Sequence, residues 1–198
     1  MRKITALAVL VMLSACAPQH TKVIQPLDQN YRGALNIKNI KVTYSDLSVE
    51  KISALDSKLA SKGQESGTPE EIQYQPFNVS FKEVAAKSLE ERDGNGVNQA
   101  DITIEVDNLK LANAVATILI GDIDQLSGSV KVNDSKTKEL LSEFYVDVFK
   151  GSGGLLGLAI RGGGVREKLA AQFAEYIGDE LGFEKTTVAY TPKKTINE

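Results

Sequence analysis

The sequence predicts an α+β domain: a mostly antiparallel sheet with amphipathic helices packed on one face. Three observations predict it. Apolar and polar residues alternate over 35–44, 100–111 and 125–149, the period of a strand with one wet face. Apolar residues recur every three or four positions over 48–62, 79–91 and 165–182, the period of a helix with one buried face. The resulting order of strand, helices, strand, hairpin and helix carries no internal repeat of the solenoid kind.

The chain opens with Met1-Arg2-Lys3, followed by an apolar run over 4–13 broken only by Thr5. A bilayer-spanning helix needs about 20 apolar residues, so this run reads as a secretory signal covering 1–15. Leu13-Ser14-Ala15-Cys16 resembles the bacterial lipobox, in which an apolar residue and two small ones precede a cysteine. The resemblance implies that Cys16 is acylated on sulfur, by chains of the palmitate type, and becomes the new N-terminus. Small Ser14 and Ala15 admit a peptidase, and a thiol sulfur can carry a diacylglycerol. Several chains, at about 0.8 kcal/mol per buried CH₂, anchor a protein stably. Ala17 follows the cysteine, where enteric lipoproteins retained at the inner membrane have Asp, so the resemblance implies the outer membrane with the domain on its periplasmic face.

Residues 16–34, with Pro18, Pro26, Gln19, Gln25, Gln29 and Gly33, read as a lipidated flexible tether, and 35–184 as one domain. Leu35 and Ile37 alternate in one phase and Ile40, Val42 and Tyr44 in the other, which predicts a strand with a bulge between them. Val49, Ile52, Leu55 and Leu59 predict a helix ending before Gly63, and 61–70 a surface loop. Ser80-Phe81-Lys82-Glu83 matches a capping box and predicts a helix over about 79–91. Ile102, Ile104 and Val106 mark the next strand. Residues 125–132 and 140–149 form a hairpin around Asn133-Asp134-Ser135-Lys136-Thr137. Leu169, Phe173, Tyr176, Ile177 and Leu181 share a helical face ending at Gly182, and 185–198 reads as a loose tail.

Composition excludes several functions. The 198 residues carry 23 Lys plus Arg against 26 Asp plus Glu, and loss of 1–15 takes the net charge from −3 to −5, so nucleic acid is not an expected partner. The single Cys and single His are Cys16 and His20, so no Ser-His-Asp triad, Cys-His pair, zinc cage or disulfide fits inside the domain. No catalytic residue, metal site or cofactor is expected. Asp93-Gly-Asn-Gly starts like a calcium loop, but Val97, Asn98 and Ile104 break the pattern. The close acid pairs Glu70-Glu71 and Glu90-Glu91 read as solvated or helix-capping groups, and Asp122 and Asp124 flank a turn with nothing basic placed beside them.

The segment 151–164 holds seven glycines around an aliphatic centre. It has no phosphate-loop signature. Gly153, Leu155, Leu156, Leu158, Ile160 and Arg161 are therefore the candidate interaction loop, weighed against a plain connector. The charge-free run 115–120 reads as a buried segment or as the lining of an apolar groove.

The lipobox, the alternating strands, the glycine-rich break and the final helix together resemble small outer-membrane lipoproteins of unassigned function. The pattern is more distantly similar to the α+β domains of the curli-secretion lipoprotein, the TolB N-terminal region and the auxiliary lipoproteins of ABC transporters. The resemblance implies a non-enzymatic, lipid-anchored protein that touches the membrane through its acyl chains and binds an envelope protein or itself. A carrier of a lipid or other apolar ligand is the alternative, and a carboxylate-dependent hydrolase is disfavoured.

Overall fold

The structure, a computed structural model, describes residues 20–65, 76–92, 96–111, 123–151 and 165–184. These form five strands and three helices: β1 Thr21–Gln25, β2 Leu35–Tyr44, α1 Val49–Glu65, α2 Phe77–Glu90, β3 Asn98–Lys110, β4 Ile123–Asp134, β5 Leu140–Gly151 and α3 Val165–Leu181. The sheet order is β1-β5-β4-β3-β2. Every pairing is antiparallel except β2 with β3, and α1 and α2 lie in the crossover that a parallel pair requires. The fold is the expected α+β class.

One face of the sheet is the core. Ile102, Ile104, Leu126, Val130, Phe144 and Val146 present it to Phe77, Phe81, Phe173 and Ile177 from α2 and α3, all with essentially no solvent exposure. Phe81 and Phe173 meet edge to face with centroids 5.2 Å apart, a geometry that adds to the burial of both rings. α3 ends on Gly182 at φ 75°, and Phe183 N donates to Gly178 O at 2.9 Å, closing the helix in a Schellman turn.

The phase slip expected in β2 is present as a register shift between Ile37 and Asn39. Four expectations give way. The tether begins folding at once: Thr21–Gln25 pairs with β5 and Leu27 is buried, because β5 has a bare edge whose backbone groups need partners. α1 continues through Gly63 to Glu65, so 61–65 is helix; residues 66–70 of the expected loop lie outside the described residues.

The capping box is not used either, since α2 starts at Phe77 after Pro76 and Ser80, inside the helix, donates its hydroxyl to Phe77 O at 3.2 Å. Finally, Asp124 is not a solvated turn residue. It lies within β4, 2% exposed, with Lys150 as its register partner on β5. The signal segment, Cys16, residues 112–122 and the tail 185–198 lie outside the described residues.

Candidate functional site

The residues singled out for interaction, Gly153, Leu155, Leu156, Leu158, Ile160 and Arg161, also lie outside the described residues, as do 115–120, Asp122, Glu70 and Glu71. What the structure fixes is where those segments attach. β3 ends at Lys110, β4 starts at Ile123 and β5 ends at Gly151, and Lys110 pairs with Gln125 and Ile123 with Gly151. The connections 112–122 and 152–164 thus leave from one end of the sheet.

That end projects. β2 stops with Tyr44 opposite Val106, and β1 begins with Thr21 opposite Val146, so beyond these points β3, β4 and β5 pair only with one another among the described strands. The stretch of β5 from Val146 to Gly151 corresponds to about 16 Å at roughly 3.3 Å per residue.

His20, at the base of the projection, is held from three sides. Its carbonyl accepts from Asp147 N at 2.8 Å, and its Nδ1 lies 3.3 Å from Asp147 O. Its ring stacks on Tyr176 of α3 with centroids 4.7 Å apart at 9° and is tilted against Phe149 at 5.1 Å. Such stacking fixes orientation as well as contact. His20, four positions after Cys16 in the sequence, is thus packed into the fold.

On the sheet face away from the core, the projection carries a polar network that sequence reasoning missed. Asp107 Oδ1 accepts from Ser127 Oγ at 2.8 Å and from Tyr145 Oη at 3.1 Å. Gln125 donates to Asp147 Oδ1 at 2.9 Å and accepts from Asn108 at 3.1 Å. Burial pushes the Tyr145 phenol up, and the carboxylates of Asp107 and Asp147 push the same way against the Ser127 hydrogen bond. The bulge between Val106 and Asn108 inserts Asp107 into this row. Its phase shift is silent in the sequence because Asp107 continues the alternation of Asp101, Thr103 and Glu105. The donors and acceptors face one another, an arrangement that stiffens the projection.

Two grooves flank the helices. One of about 420 Å³, between β2 and α2, is lined by Ile37, Ile40, Ala86 and Leu89 together with Asn36, Lys38, Asn39, Lys82 and Glu90. The other, between α2 and α3, brings together Lys87, Glu91, Glu167, Lys168 and Glu175. Among the described residues no cluster of His, Cys, Asp and Glu has the grouping to hold a metal ion, and no helix is long and apolar enough to cross a membrane.

No family model and no curated protein matches the chain. Solved structures with a similar course include a single-substitution variant of the PelC dodecamer from Paraburkholderia phytofirmans (10% identity, 83% of this chain and 98% of that one, TM-score 0.47). A DUF330 protein from Xanthomonas campestris is 13% identical over 81% of this chain and 92% of that one, with a TM-score of 0.48. Lipoprotein GNA1162 from Neisseria meningitidis is 12% identical over 73% and 97%, with a TM-score of 0.27.

Proposed function

We propose that this protein is a non-enzymatic lipoprotein of a bacterial envelope, anchored through acyl chains on Cys16 in the outer membrane, whose periplasm-facing domain binds another envelope component or a second copy of itself. The observation that carries this reading is the spacing between the lipobox and the fold: Cys16 stands four residues ahead of His20, which is locked onto β5 and α3. A domain held that close to its acyl chains works at the membrane surface. Supporting a binding role, β2 is an outer strand of the sheet among the described residues, and a groove of mixed apolar and polar lining runs beside it. An open strand edge next to such a groove suits an extended segment of a partner, with the backbone supplying affinity and the side-chain sites specificity. The exposed Lys38 and Lys41 on β2 guard that edge against indiscriminate pairing.

The test is Cys16→Ala in a bacterial host given labelled palmitate. The variant is expected to lose the label and either to appear in the soluble periplasmic fraction or to persist as an uncleaved precursor. Membrane association at wild-type mobility and label content would sink the reading. Native mass spectrometry of the purified domain addresses the binding role, and retained ligand mass would replace it with the carrier alternative.

A further inference from the structure

We propose that the outer edge of β2, with the groove beside it, takes up an extended segment of a partner protein in which aliphatic residues alternate with Asp or Glu. The proposal rests on the binding role given above and supplies the chemistry of the partner; it does not depend on the Cys16 anchor.

The backbone and the groove favour an aliphatic strand. Among the described residues β2 pairs with β3 alone, so its other side offers alternate N–H and C=O groups as a template for one more strand. Ile37 and Ile40 would face opposite sides of an unbroken strand, because side chains alternate. The register shift between Ile37 and Asn39 instead turns both toward the helices, where they pack on the core. There they line the groove of about 420 Å³ with Ala86 and Leu89 of α2. A bulge on an edge strand thus re-aims a side chain, and here it completes an apolar strip. An added strand sends every second side chain to that side, so aliphatic partner residues meet this strip.

Charge selects the residues in between. Lys38 and Lys82 line the groove, and Lys41, set between buried Ile40 and Val42, projects from the opposite face of the sheet. All three are exposed, and among the described residues none of them makes an ion pair. Glu90 also lines the groove, but toward its Leu35 end. α2 starts beside Tyr44, whose Oη accepts from Asn78 N, and the chain after it returns to Leu35, whose carbonyl accepts from Gly96 N. Lys82 therefore lies toward the Tyr44 end, and both faces of the edge carry unneutralised cations on a chain of net charge −3. Such an edge repels a second β2, which would bring the same lysines, and admits a strand that brings carboxylates.

The test uses the full-length protein in detergent micelles, a fluorescent peptide alternating Val and Glu, and a counterpart alternating Val and Lys. The expected result is saturable binding of the Val/Glu peptide, at least about tenfold tighter than that of the Val/Lys peptide and weakened by added salt. Bound peptide should slow amide hydrogen exchange in β2 and leave β1 unchanged. Lys41→Glu combined with Lys82→Glu should reverse the preference in protein that melts like the wild type. If that variant melts early, Lys41→Gln combined with Lys82→Gln should abolish the preference instead. Equal binding of the two peptides, binding of neither, protection outside β2, or a preference that these substitutions leave unmoved would overturn the proposal. Self-association that protects β2 and resists the Val/Glu peptide would assign the edge to a second copy and equally overturn it. Failure here leaves the palmitate-label test of Cys16 untouched, and failure of that test leaves the peptide result standing, so the two readings fall separately.

Discussion

Asp101 gathers three donors from separate parts of the chain: Lys138 Nζ and Ser135 Oγ at 2.7 Å from the β4–β5 turn, and Asn39 Nδ2 at 2.8 Å from β2. Lys138, in the left-handed region at φ 64°, holds a conformation that costs a residue with a Cβ about 1 kcal/mol or more, and its charge-assisted bond to Asp101 offsets that cost. The Lys138 bond above all, with those of Ser135 and Asn39, lowers the Asp101 carboxyl from 3.8 to about 2. A carboxylate whose folded-state value is depressed stabilises the fold above its unfolded value and ceases to do so as it protonates. Asp101→Asn should therefore melt below the wild type at neutral pH, by an amount limited by solvent screening of this partly exposed pair. The difference should close as pH falls from about 3.8 toward 2. Parallel thermal melts across that range check it, and a gap independent of pH would show that the charge is not what Asp101 contributes.

At the scale of elements, the joint between the three helices depends on Asp56. One carboxylate oxygen accepts from Phe77 N at 3.1 Å, and the other from Arg166 Nη1 at 2.9 Å. Tyr44 Oη accepts from Asn78 N at 2.6 Å, and burial holds its phenol up at about 12. The first orphan donors of α2 are thus capped by α1 and β2. Arg166, with 8% of its side chain exposed, also lies 5.7 Å above the Phe77 ring. Asp56→Ala should cost about 1–3 kcal/mol in urea unfolding, the range for removing an acceptor from buried donors, since Arg166 keeps Glu167 Oε1 at 3.6 Å, with Asp56→Asn losing less because an acceptor remains. Loss of under about 1 kcal/mol would place the joint outside the cooperative fold.

The same joint explains why α2 was legible except at its start. Phe81, Ala85 and Leu89 declare the helical period within the segment, whereas its caps are 21 and 34 positions away in sequence, and Ser80 with Glu83 imitates a local cap. β2 was legible down to its bulge because both of its phases are apolar. β1 was not, because four of its five residues are exposed and only the register with β5 reveals it.

For the molecule as a whole, β1 is what closes β5. Phe144, Val146 and Val148 are fully buried on that strand, and without β1 its outer backbone groups would form a bare edge. Removing residues 17–25 should therefore cause concentration-dependent association, visible as a rising mass in light scattering. A protein that stays monodisperse and folded would show that β1 is dispensable as a shield. Of the candidate site, the stretch around Cys16 is contiguous enough to be read as a motif and lies outside the described residues. The polar row of Asp107, Ser127, Tyr145 and Gln125 was not legible, because strand register and the bulge after Val106 bring it together, which no local pattern encodes.

The clasp on His20 also sets an order of events. Its partner Asp147 is 127 positions downstream, so β1 is completed only once β5 is there to pair with it. Contacts this distant form late, after the loop between them has been closed. Under the lipid-anchor proposal, Cys16 stands only four residues from this clasp, so processing and folding would compete for the same short stretch, and a chain exported from its N-terminus would let processing go first.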